Sequence, residues 1–96
     1  MKKLYVLRHS KSSWKDIVIS DFRRPLSSRG KNDGPMMSSY LCSRIDKIDF
    51  LHCSSSVRTY ETSKFFIDRI RFIDIKYDES LYHSYSSEII NNIKNY

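Results

Sequence analysis

Four apolar residues, Leu4 to Leu7, run straight into Arg8-His9. A short continuous apolar run that includes Tyr5 and Val6 predicts a strand buried on both faces, as in the middle of a parallel sheet. A polar stretch from Ser10 to Ser13 follows at once. In open parallel sheets ligands bind just beyond the carboxyl ends of the strands. Arg8 and His9 therefore stand where chemistry is expected, although a solvated strand end has the same local sequence.

The remainder of the chain repeats the alternation. Residues 10–27 are long for a strand-to-helix connection, and they carry Trp14, Ile17, Ile19 and Phe22, too much apolar material for a free linker. They should fold over the strand end, with Trp14 as an anchor or as part of a substrate groove. Ser27 is a good N-cap, and Pro25 disfavours an earlier helical start at Arg24. A helix is expected from there to about Ser43, with Met36, Met37, Tyr40, Leu41 and Ile45 as its apolar stripe and a kink or restart at Pro35. Ile48 to Cys53 reads as a second strand. Ser54-Ser55-Ser56 then supplies caps for a helix from Val57 to about Ile70. Phe72 to Tyr77 reads as a third strand, Asp78 to Tyr85 as a loop, and Ser86 or Ser87 as the cap of a last helix with Ile89, Ile90 and Ile93 in its stripe.

This β-α-β-α-β-α pattern predicts an α/β fold, three layers with a mainly parallel sheet and right-handed crossovers. The first two strands then run the same way, which places Arg8-His9 and Ser54 to Arg58 on one edge of the sheet. Arg58 falls in the first turn of its helix, where free N–H groups and the dipole attract anions. Its planar fork suits a phosphate. Two arginines and a helix N-terminus around one imidazole describe a phosphate pocket with a nucleophile in it.

Composition narrows the partners. A net charge of +6 favours anions. The basic residues are scattered, with no run longer than Lys2-Lys3 or Arg23-Arg24, so nucleic acid is not the expected partner. The chain of 96 residues is enough for one small domain. The apolar run after Met1-Lys2-Lys3 is too short for a secretion signal, and nothing in the sequence is long enough to span a membrane, so a cytoplasmic protein is expected. Cys42 and Cys53 have neither metal-ligand nor redox spacing and read as free, mostly buried thiols. No metal or cofactor is expected. His52 reads as packing or surface, and Lys11 as a solvated lysine beside the pocket.

Leu7-Arg8-His9-Ser10-Lys11-Ser12-Ser13-Trp14 resembles the Arg-His motif of the histidine phosphatase superfamily, the phosphoglycerate-mutase-like proteins. Ser20-Asp21-Phe22 with Arg24-Pro25-Leu26-Ser27-Ser28-Arg29-Gly30 is similar to the small phosphohistidine phosphatase branch, the SixA type. Cys53-Ser54-Ser55-Ser56-Val57-Arg58-Thr59-Tyr60-Glu61-Thr62 resembles that branch's second motif, and Tyr77-Asp78-Glu79-Ser80-Leu81-Tyr82-His83 its third-strand exit. The resemblance implies His9 as the nucleophile that accepts the phosphoryl group, with Arg8, Arg58 and Ser10 on the phosphate. It puts His83 where mutase members carry a proton-donating Glu, a minor candidate for an acid. The implied substrate is a phosphorylated protein, as phosphohistidine, or a small phosphorylated molecule.

The same resemblance implies a second active-site histidine, in a Gly-His motif at the end of a fourth strand. No His follows His83 and no Gly follows Gly34. Residues 1–96 are accordingly expected to be the N-terminal part of such a domain, lacking the C-terminal strand that carries that histidine. Two functions stand at this point: a phosphohistidine phosphatase impaired by truncation, or a non-catalytic remnant that binds phosphate or a phosphoprotein. In the resembled fold the fourth strand lies between the first two. The strand at Ile48 to Cys53 should therefore pair with Phe72 to Tyr77, while Leu4 to Arg8 should find no ladder to either.

Overall fold

A computed structural model describes residues 2–15 and 18–94. Three α-helices and two strands make up the regular structure: α1 (Ser28–Cys42), β1 (Lys47–Ser54), α2 (Val57–Ile67), β2 (Arg71–Asp78) and α3 (Ser86–Ile93). Short 3₁₀ turns occur at Asp21–Arg23 and Glu79–Leu81. β1 and β2 are parallel, with Ile48 opposite Phe72, Leu51 opposite Ile75 and Cys53 opposite Tyr77. α2 is the crossover between them and packs on both strands, and α1 packs on α2. The result is a small α/β fold whose sheet, among the described residues, is two-stranded.

Leu4 to Arg8 do not form the expected strand. Leu4 is 62% exposed and Val6 86%, with Tyr5 and Leu7 also exposed, so this segment is not buried on two faces. The physical reason is pairing. An apolar run becomes a strand only when neighbours on the sheet satisfy its N–H and C=O groups. As expected, β1 is paired to β2, and no ladder joins it to Leu4–Leu7 among the described residues.

α1 also departs from expectation. Ser27 caps it, its Oγ accepting from the Gly30 N–H at 3.1 Å. The helix then runs continuously through Pro35 rather than restarting there. Met36, Met37 and Tyr40 are exposed, and the buried face is Gly30, Gly34 and Ser38. These small residues recur every fourth position and let α1 approach closely. A Cβ at Gly34 would overlap the Phe65 ring, and one at Gly30 would overlap the Lys11 carbonyl. Ser38, fully buried, donates to the Phe65 carbonyl at 2.5 Å. Leu26, Phe66 and Ile70 are the buried apolar side chains around this seam.

The remaining boundaries lie close to those read from sequence. α2 ends at Ile67, short of Ile70. Ser56 holds its N-cap position, but the Ser56 hydroxyl is shared with Thr59 Oγ1 at 2.7 Å and makes no cap bond. Tyr85, not Ser86 or Ser87, occupies the N-cap position of α3, where Ile89 and Ile90 are exposed. Cys42 and Cys53 are free thiols, both half-buried. Ile17, expected to help fold residues 10–27 over the site, lies outside the described residues.

The α1–α2 seam yields a first prediction. Gly34→Val should lower stability by roughly 1–3 kcal/mol, the scale of overpacking. A lower urea midpoint with unchanged slope is the expected observation, and an unchanged midpoint would mean that the seam is looser than described.

Candidate functional site

The segment that carries His9 is placed by helix α2. Ser10 donates its backbone N–H to Thr62 Oγ1 at 3.1 Å, and Thr62 in turn donates to the Arg58 carbonyl at 2.8 Å. Glu61 Oε1 accepts from the Leu26 N–H at 3.1 Å. Arg58, Glu61 and Thr62 lie three and four residues apart, on one face of the helix. That face grips residues 10–27 at three points. The same segment is closed at its base by two main-chain bonds, Ser13 N–H to the Pro25 carbonyl at 2.7 Å and Ser27 N–H to the Lys11 carbonyl at 2.8 Å.

An open cleft of about 500 Å³ results, lined by Arg8, His9, Ser10, Lys11, Ser12, Trp14, Arg24 and Arg58. His9, Arg8, Arg58 and Ser10, expected at the site from sequence, are thus brought together. Arg24, Lys11 and Trp14 stand with them. Half of the lining residues are cationic and none is acidic, so the cleft attracts anions. His9 Nδ1 donates to the Ser10 carbonyl at 2.7 Å. A carbonyl can only accept, so Nδ1 is the donor nitrogen, and Nε2 is the one left to face the cleft chemistry.

Arg24 was read from sequence as the residue before Pro25 and as part of a motif, with no role at the site. It is buried, its guanidinium stacks 3.7 Å from the Trp14 ring, and it donates to Ser12 Oγ and, at 2.9 Å, to Asp21 Oδ1. Trp14 therefore both anchors residues 10–27 and lines the cleft, while 71% exposed. Arg58 is buried and turned toward Asp21, donating from Nη1 to the backbone carbonyl at 2.7 Å and from Nη2 to Oδ2 at 3.1 Å. The Tyr82 hydroxyl and His83 Nε2 also donate to Asp21 Oδ2, at 2.5 and 3.1 Å. His83, the minor acid candidate, is exposed, adopts φ 55° and faces Asp21. The cleft wall does not include it.

Asp21 is consequently the electrostatic centre behind the cleft. Hydrogen bonds from Tyr82, then Arg24 and Arg58, hold its carboxyl well below the usual range. Asp78 is held low by Ser80 and by His52, whose Nε2 lies 2.9 Å from Oδ2. His52 is thus a hydrogen-bond partner of Asp78 at the exit of β2. Burial pushes the Cys53 thiol up to about 11, which keeps it in the unreactive protonated form. Among the described residues, no group of three or more His, Cys, Asp and Glu is placed to hold a metal ion, and no helix is long and apolar enough to cross a membrane.

No protein-family model matches the chain. An uncharacterized chloroplastic protein of Arabidopsis thaliana is 36% identical over 63 residues, covering 66% of this chain but 29% of that protein. A solved structure from Agrobacterium tumefaciens, provisionally named phosphohistidine phosphatase SixA, matches with a TM-score of 0.84 and 26% identity over 93% of this chain and 58% of that one. A second, from Nakamurella multipartitia and named in the same way, matches with a TM-score of 0.75 and 22% identity over 91% of this chain and 47% of that one. The fold is thus of the SixA type, and the chain spans about half the length of the solved chains it matches.

The depressed Asp21 carboxyl has a consequence for acid stability. Its contribution is complete above the unfolded value near ~3.9 and is lost as pH falls below it. Asp21→Asn should therefore flatten the decline of stability with acid between about pH 4 and pH 2, as followed by urea unfolding across that range. An equally steep decline in the variant would place the acid sensitivity elsewhere.

Proposed function

We propose that this chain is a histidine-dependent phosphatase of the phosphohistidine type, or the His9-bearing part of one, with phosphohistidine in a protein as its substrate. The observation that carries this reading is one cleft in which His9, its Nδ1 committed to the Ser10 carbonyl, stands among Arg8, Arg24 and Arg58. Likeness to the Agrobacterium structure supports it.

The chemistry follows from the residues. Arg8 and Arg58 hold the phosphoryl oxygens, and Ser10 adds a hydroxyl beside them. His9 Nε2 attacks phosphorus with its lone pair. A bond from that nitrogen to phosphorus forms as the substrate's P–N bond breaks, and the departing imidazole takes up a proton from solvent. Water then attacks phosphorus, the bond to His9 breaks, and inorganic phosphate leaves. Transfer of this kind depends on positioning and on neutralising oxygen charge, the two things that the arginines supply.

A second reading rests on the charge of the cleft alone: four of its lining residues are cationic and none is acidic, so it would bind phosphate or a phosphoprotein without efficient turnover.

Incubation with a phosphohistidine-containing protein separates the two. The phosphatase reading expects an acid-labile, base-stable phosphoenzyme that is abolished in His9→Ala. Binding without labelling favours the second reading, and labelling that persists in His9→Ala moves the nucleophile to another residue. Arg58→Ala should weaken vanadate binding by roughly 1.5–3 kcal/mol, the scale of a charged hydrogen bond.

A further inference from the structure

Two cationic side chains of the cleft lining, Arg24 and Arg58, are spanned by one carboxylate. Asp21 Oδ1 accepts from Arg24 Nη2 at 2.9 Å and Oδ2 from Arg58 Nη2 at 3.1 Å. The Asp21 backbone carbonyl takes the other terminal nitrogen of Arg58 at 2.7 Å. Arg24 and Arg58 are 9% and 8% exposed, and Nε of each is buried with no hydrogen-bond partner among the described residues. Like charges buried close together, each with an unsatisfied N–H, do not stay in place unaided. Asp21 is what holds them. Its own position is further fixed by the Tyr82 hydroxyl and His83 Nε2, which donate to the same Oδ2 that takes Arg58.

We propose that Asp21 is a positioning residue of the anion cleft: it acts through Arg58 and Arg24, fixing the two guanidiniums so that their remaining N–H groups meet the phosphoryl oxygens. This rests on the phosphate reading of the cleft. Asp21 itself touches no substrate. It is not a proton donor, because its partners hold the carboxyl well below the usual range and keep it ionised. Nor is it a loosely held counter-ion, since donors from Arg24, Arg58, Tyr82 and His83 converge on it. The arrangement is preorganisation, in which the geometry of the cationic groups is set before the anion arrives.

Orthovanadate titration of the unaltered chain, Asp21→Asn, Arg58→Ala and the double variant tests the proposal. Asp21→Asn should weaken vanadate at least tenfold when Arg58 is present and by a clearly smaller factor when it is Ala, because only the part carried by Arg24 then remains. Tighter binding in Asp21→Asn would overturn the proposal by making the carboxylate a competitor for the arginine. An equal loss in both backgrounds would overturn it as well. Should Asp21→Asn fail to fold by circular dichroism, Asp21→Glu replaces it: displaced guanidiniums should weaken vanadate at least tenfold, and unaltered affinity overturns the proposal. A ligand-independent readout keeps the two levels apart. Separate, slowly rotating Arg58 Nη proton signals should be seen by NMR in the unaltered chain and collapse in the Asp21 variant. If vanadate does not bind the unaltered chain, the phosphate reading fails, together with the part of the proposal that rests on it. If vanadate binds but the Arg58 signals are unchanged by the variant, the positioning role alone fails.

Discussion

Three side chains on one face of α2, Arg58, Glu61 and Thr62, hold the segment that precedes α1. They reach Asp21, the Leu26 N–H and the Ser10 N–H respectively. Among the described residues the segment contributes no strand to the sheet, and apart from the two main-chain bonds at its base its backbone groups lack a ladder that would satisfy them. Side chains of α2 supply part of what a sheet would have supplied. The placement of His9 therefore depends on a helix that follows it in the chain by almost fifty residues. It does not depend on Leu4 to Leu7, which are exposed.

The close α1–α2 seam serves the same end. Gly30 leaves room for the Lys11 carbonyl, and that carbonyl accepts from both the N–H and the hydroxyl of Ser27. The N-cap of α1 and the polar wall of the cleft are thus one structure. Helix packing and site geometry cannot vary independently here, since a larger residue on α1 would push directly on the backbone two residues after His9.

β1, α2 and β2 were legible because each is an apolar, β-branched or capped run whose pattern is local. The strand expected at Leu4 to Arg8 was not, since a run can advertise burial without showing whether a neighbour exists to pair with it. α1 misled for another reason. Its Met36, Met37 and Tyr40 are exposed and Leu41 is only half-buried, while Gly30, Gly34 and Ser38, which carry almost no hydropathy, make the contact by permitting approach. At the site, Arg8, His9 and Arg58 were readable from motif and chain direction. Asp21 and Arg24 were visible only as letters of a motif. The carboxylate collects partners from residues 24, 58, 82 and 83. Only folding brings those four together.

The stacking of Arg24 on Trp14 has an optical consequence. Trp14 is the sole tryptophan of the chain, so its emission is not averaged with that of any other indole. One side of the ring lies against a guanidinium, and the side chain is open to solvent at the mouth of the cleft. A charge so near an indole shifts and quenches its fluorescence, and the extent changes when that charge moves or is neutralised. The cleft therefore carries its own dye.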